Sequence, residues 1–272
     1  MRIDVHGHIG ELPGRPAPTG EDLAEYVKAV GVERLLVSNL DAAGNGGPDC
    51  EEADANHALL ERCRGVAHLV PLYWCRVGRS DSHPYALAGA LALEPFAGAV
   101  FAPGTSGISP DDRIMEPYLT ALERAGRPAF FLTSREPPGR PQPVYVAARR
   151  HPGIPFVMCN AATDTHWHEA LEVMRRSREQ HGAQLYLATG QASPDDVHAT
   201  VAAVGAEHIV FGSDALRFGA DHAPRIQRFL SELAAKLSAD AFGRVVSGNA
   251  RRILRMPLPA PAPRPAAAPV GG

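Results

Sequence analysis

Short apolar runs rich in β-type residues alternate with longer amphipathic runs, and the alternation recurs eight times along the chain. The apolar runs fall at residues 2–6, 33–38, 67–75, 97–102, 129–133, 154–159, 184–189 and 208–212. Most are continuously apolar and not alternating, the pattern of parallel strands buried on both faces. The amphipathic runs, at 21–30, 51–64, 84–93, 111–125, 143–150, 166–181, 194–204 and 223–237, predict helices between them. Thr19 and Ser193 stand where N-caps belong, and Gly31, Gly65, Gly126 and Gly205 stand where helices end. Eight β-then-α units predict an α/β fold, the (β/α)8 TIM barrel, closed by a last helix over 240–254. An open doubly wound sheet is the alternative, but no Gly-rich dinucleotide turn follows the first apolar run.

The pattern stops near Pro257, where the chain becomes Pro-Leu-Pro-Ala-Pro-Ala-Pro-Arg-Pro-Ala-Ala-Ala-Pro. Such a segment has too little apolar side chain to build a core. The expected organisation is one barrel domain over 1–256 and a disordered Pro/Ala-rich tail over 257–272. Pro and Gly also crowd the segments 11–20, 41–49 and 135–143, the first of which could reach over the barrel mouth.

Composition narrows the partners. The 272 residues are 45% hydrophobic and 21% charged, the balance of a soluble globular protein. The apolar run over 85–93 ends at Glu94 and Pro95, well short of the ~20 residues of a membrane span. The opening Met1-Arg2-Ile3-Asp4-Val5-His6 carries an acid and a histidine where a signal peptide would be apolar. A net charge of -3 and a pI near 6.5 leave no basic footprint for nucleic acid. Cys50, Cys63, Cys75 and Cys159 show no CxxC spacing, so reduced thiols in the cytoplasm are expected. The expected partner is a small molecule; the sequence sets no oligomeric state.

Candidate chemistry lies where a parallel barrel keeps its site, at the C-terminal ends of the strands. The first strand ends in Asp4-Val5-His6-Gly7-His8, and residues two apart on an extended segment face one way, so His6 and His8 can serve one cation. The eighth strand ends in Phe211-Gly212-Ser213-Asp214 and becomes the first strand's neighbour when the barrel closes. His6, His8 and Asp214 then form a three-ligand site with room for water. One divalent metal ion is expected, zinc foremost, which would bring the pKa of bound water to ~7. A lone HxH is often structural, and Asp214 could instead cap a helix; placement on the first and last strands favours the metal.

These residues resemble the amidohydrolase superfamily, in its amidohydrolase-related (amidohydrolase 2) branch. The marks are Ile3-Asp4-Val5-His6-Gly7-His8, Phe211-Gly212-Ser213-Asp214 and the closing Gly248-Asn249-Ala250-Arg251-Arg252-Ile253-Leu254. Gly98-Ala99-Val100-Phe101-Ala102-Pro103 and the strand starts at Pro128 and Pro155 fall in step. The resemblance implies that His6 and His8 are metal ligands and that Asp214 is a ligand, a proton acceptor for the attacking water, or both.

The chain also departs from that pattern. The family's fifth-strand histidine slot falls on Leu132 or, with a one-residue slip, on Thr133. Asn160 replaces the histidine ending the sixth strand, and Val100 and Ala102 stand where relatives often carry Lys-x-His. His166 and His168, just past the sixth strand, are candidate substitutes, with a solvated helix start as the alternative. Asn160 can orient water or a substrate carbonyl but is no base at neutral pH. Arg76 is a candidate for an anionic substrate group, Arg135 a weaker one, and His57 reads as structural.

The function expected is a metal-dependent hydrolase, with metal-bound water attacking an amide, ester or lactone carbonyl of a small molecule. Two alternatives stay open. One is a metal-dependent decarboxylase using an arginine such as Arg76; the other is a catalytically degenerate or redirected barrel that binds a ligand or partner.

Overall fold

The apolar runs form the parallel strands β1 (Arg2–Ile9), β2 (Val32–Asn39), β3 (Leu69–Pro71), β4 (Tyr73–Cys75), β5 (Ala99–Phe101), β6 (Ala129–Leu132), β7 (Pro155–Cys159), β8 (Gln184–Ala188) and β9 (Ile209–Val210). The computed structural model describes residues 2–10, 18–43, 50–160, 166–180, 182–215 and 219–256. The segment 11–17, most of the stretch expected near the barrel mouth, and the tail over 257–272 lie outside them.

Strands β1 to β3 pair in order, as do β4 to β9. The third apolar run, expected as one strand, is therefore two short ones. Pro71 has no N–H to continue a ladder, and the chain changes partner beside it. Leu72 N donates to Val37 O (2.8 Å) and Tyr73 N to Gly98 O (2.9 Å), carrying the sheet from β2 to β5. At the other end Val5 N donates to Phe211 O (3.0 Å), Ala215 N to His6 O (3.2 Å) and His8 N to Ala215 O (2.7 Å). These bonds close the ring, giving the expected TIM barrel. The last strand is shorter than its apolar run because Phe211 N turns to Val245 O (2.9 Å), although Phe211 O still accepts from Val5 N.

Side-chain alternation divides the apolar residues into two layers. Ile3, Val5, Leu36, Trp74, Val100, Phe130, Val157, Tyr186 and Val210 fill the barrel interior. Their neighbours Leu35, Val37, Tyr73, Phe101, Phe131, Met158 and Leu187 pack outward against the helices. Burial on both faces is why the strands read as unbroken apolar runs. Gly98 is needed where β5 begins: a Cβ there would lie 2.5 Å from Pro128 O.

The helices follow the sequence closely where caps are strong. Thr19 and Ser193 each form a capping box, with Asp22 and Asp196. The run expected as one helix over 111–125 is a short turn, Arg113–Met115, then the helix Glu116–Ala125; Asp112 accepts from Ile114 N and starts the turn. The closing helix is likewise broken into Ala239–Gly243, a wide turn Arg244–Gly248, and Asn249–Ile253. Asn249 Nδ2 ties it beneath β9 through Ala206 O and Ile209 O, both at 2.7 Å. No helix among the described residues is long and apolar enough to cross a membrane.

Candidate metal centre at the barrel mouth

The end of β1 carries one extra residue relative to β2. Asp4 stands opposite Leu35 and Gly7 opposite Val37, so three steps on β1 match two on β2. A bulge of this kind resets which face a side chain takes. Before it Ile3 and Val5 face the interior, while Asp4 reaches outward to Tyr26. After it His8 stands opposite Ser38, on the interior face that Ser38 shares with Leu36. The bulge thereby brings His6 and His8 to the mouth.

Asp214 comes to the same place from the segment after β9. Its φ of 61° lies in the left-handed region, a conformation that costs a non-Gly residue energy and recurs at functional sites. Its Oδ1 is 3.3 Å from His8 Nε2 and 4.0 Å from His6 Nε2. The two imidazoles meet edge to face, with centroids 4.6 Å apart. One donor atom from each of His6, His8 and Asp214 lies within 4.8 Å of the others, and all three residues are buried. Ligands at zinc-type distances of about 2.0–2.2 Å stand about 3.3 Å apart. Small side-chain rotations would therefore bring the trio onto one cation, and two imidazoles with a carboxylate are a suitable donor set. His8 Nδ1 lies 2.9 Å from Ser38 Oγ. With the proton on Nδ1, donating to Ser38, Nε2 keeps its lone pair for the centre.

Beneath the trio, Asp4 is fully buried and accepts four hydrogen bonds. They come from Tyr26 OH (2.6 Å), Ser213 Oγ (2.5 Å), Ser213 N (3.0 Å) and His6 N (3.1 Å). Burial pushes its carboxyl up to about 6, against the pull of those four donors. His222 is wholly buried beside Tyr26, with ring centroids 5.3 Å apart. Burial holds its imidazole down to about 4, the charge of Asp214 opposing, so it stays neutral near pH 7.

The other residues singled out by the sequence divide. Leu132 packs on the interior cluster, whereas Thr133 turns its hydroxyl to Cys159 O (2.6 Å). The inward slot at the end of β6 is thus Leu132. Val100 and Ala102 are also interior. Asn160, with φ 60°, follows β7, and its buried Oδ1 has no hydrogen-bond partner among the described residues. A Cβ built on Gly190 would lie 3.5 Å from His6 Nδ1 and 3.8 Å from Asn160 Oδ1, which places the two side chains around one backbone position. Arg76 already has protein partners. Its guanidinium bonds Asp81 Oδ2 (2.9 Å) and Cys50 O, and its N–H bonds Glu52. His168 and Arg135 are exposed. The side chain of His166 and all of 161–165 lie outside the described residues. His57 is exposed beside Glu61 on the outer ring.

Four residues that sequence reasoning missed stand beside the named ones: His222 next to Tyr26, Glu52 and Asp81 on Arg76, and Gln191, whose Nε2 donates to Asp214 Oδ2 at 2.9 Å. None lies in a motif. The one available signal was the turn Gly190-Gln191 between strand and helix cap.

Comparison with known proteins agrees with this architecture. The model of the family described as Amidohydrolase matches residues 3–256. Among curated proteins none matches. Of solved structures, the 2,6-dihydroxybenzoate decarboxylase from Rhizobium superposes with a TM-score of 0.72 at 16% identity, covering 94% of this chain and 99% of that one. A dihydroxybenzoic acid decarboxylase from Polaromonas sp. JS666, with bound manganese and the inhibitor 2-nitroresorcinol, gives 0.68 at 12% identity, covering 94% and 97%. An amidohydrolase from Burkholderia multivorans with bound HEPES gives 0.68 at 15%, covering 94% and 100%. At such identities the structures speak for the fold, and the family match speaks for descent: the chain belongs to the amidohydrolase family of enzymes.

Proposed function

We propose that the chain is a divalent-metal-dependent hydrolase acting on an amide, ester or lactone carbonyl of a small molecule, with His6, His8 and Asp214 holding the cation. The observation that carries this reading is the convergence of three buried donors within 4.8 Å at the mouth of the barrel. Zinc suits two imidazoles and one carboxylate and is the first cation to test. When bound, the cation supplies Lewis-acid polarisation of the carbonyl and lowers the pKa of water toward neutrality.

The chain's own residues supply the rest. Asp214 is the acceptor for the proton of the attacking water and passes it to the leaving group. Asn160 Oδ1, buried beside His6, accepts a hydrogen bond from a substrate N–H or O–H. Leu132 and Ala102 offer apolar surface to the body of the substrate at the mouth.

A second reading, decarboxylation of an acidic substrate, is favoured by the likeness to the dihydroxybenzoate decarboxylases. In it a substrate carboxylate would share Arg76 with Asp81. Metal-reconstituted protein offered panels of lactones, esters, amides and aromatic carboxylic acids separates the readings. Acid release from the first three classes, reduced about 10²–10⁴-fold in Asp214→Asn, supports the hydrolase. Carbon dioxide release alone turns the reading to the decarboxylase, and turnover of neither leaves the binding barrel.

A further inference from the structure

We infer that Gln191 is a positioning residue, fixing the plane of the Asp214 carboxylate so that its outer edge faces the cation. The inference rests on the metal-centre reading above. Gln191 sits in the turn Thr189–Ala192, closed by Ala192 N donating to Thr189 O at 3.0 Å. As the third residue of that turn it has φ 63°. Such a position ordinarily takes Gly or Asn, which tolerate left-handed backbone at little cost. A glutamine gains nothing there for the turn itself. What it gains is reach: its Nε2 donates to Asp214 Oδ2 at 2.9 Å.

Both ends of that bond are fixed. Thr189 N donates to Val210 O (3.0 Å), Thr189 Oγ1 to Gly212 O (3.2 Å), and Gly212 N to Thr189 Oγ1 (3.1 Å). The turn bearing Gln191 is thereby clamped to the segment leading into Asp214. The terminal torsion of an aspartate is broad, and the bond from Gln191 restrains the plane in which the Asp214 carboxylate lies. With Oδ2 tied to the amide, Oδ1 is the oxygen presented to His8 and His6, at 3.3 and 4.0 Å. A neutral amide achieves this without a positive charge that would repel the cation.

Two variants of the full-length protein test the assignment with cobalt(II) alone as probe. Gln191→Gly removes the amide and relaxes the turn; Gln191→Met keeps length and volume but has no donor. Metal-stripped wild type should bind one cobalt(II) per chain. Both variants should bind about 10–100-fold more weakly, the usual effect of removing a partner that orients a metal ligand. Their visible cobalt bands should shift, while metal-free Gln191→Gly melts no lower than wild type. Wild-type affinity and spectrum in both variants would overturn the assignment. So would weaker binding that merely tracks a loss of metal-free thermal stability, the mark of a structural role. Wild type that takes up no cobalt(II) would remove the metal-centre reading, and the inference with it.

Discussion

Ser213 and Asp4 lock the last strand segment of the barrel to the first: Ser213 N donates to Asp4 Oδ1 at 3.0 Å and Ser213 Oγ to Oδ2 at 2.5 Å. Each is close in sequence to a proposed ligand, Asp214 on one side and His6 on the other, so the lock sets the spacing of the trio. Tyr26 adds a third member from the helix Gly20–Val30. Asp4→Ala would leave the backbone donors of Ser213 and His6 without their acceptor, while Tyr26 OH keeps Ser213 Oγ. The expected loss is about 2–4 kcal/mol, at about 1–3 kcal/mol for a buried donor left unsatisfied. Urea unfolding of the metal-free protein measures it, and a loss under about 1 kcal/mol would show that the lock is dispensable.

Arg76 should behave as a structural residue. Its partners Asp81 and Cys50 O, with Glu52 on its backbone, knit the end of β4 to the start of the helix Glu52–Cys63. Arg76→Ala should cost about 2–4 kcal/mol, as removing one member of a largely buried pair does, with metal content unchanged. Near wild-type stability together with a raised KM for anionic substrates would return Arg76 to the substrate site.

Acid stability should depend on His222. Its folded-state pKa of about 4 lies below the ordinary 6.5. The unfolded chain therefore binds the proton first, and the stability this neutral histidine contributes, present above pH 6.5, is lost as pH falls toward 4. His222→Phe should flatten that part of the stability profile relative to wild type by more than about 1 kcal/mol. Superimposable profiles between pH 4 and 7 in metal-free samples would refute it.

Leu132→His would place an imidazole on the interior face at the end of β6, because Leu132 and not Thr133 packs on the interior cluster. The expected result is tighter metal binding, by about tenfold or more, read by competition with a chelator. Unchanged affinity would place the cation away from β6.

The fold was legible because burial of each strand on both faces leaves a mark that needs no neighbour to interpret, as in Ala129-Phe130-Phe131-Leu132. Where backbone chemistry breaks a run, the sequence showed less. Pro71 splits the third strand, and Phe211 N turns aside to Val245 O. His6, His8 and Asp214 could be placed together because the barrel makes first and last strands adjacent. The choice between Leu132 and Thr133 could not be made, since a one-residue register is set by packing. The partners of Arg76 were hidden for a different reason. Asp81 and Glu52 reach it from a loop and a helix start that no periodicity connects.

The central claim is that His6, His8 and Asp214 hold one divalent cation, and metal content per chain tests it most directly. Wild type purified without chelator, or stripped and reconstituted with zinc, should carry about one ion per chain, as a site of three protein ligands and water does. His6→Ala/His8→Ala should carry none while remaining folded. A wild type that stays metal-free after reconstitution, or a double variant that keeps its ion, would contradict the account.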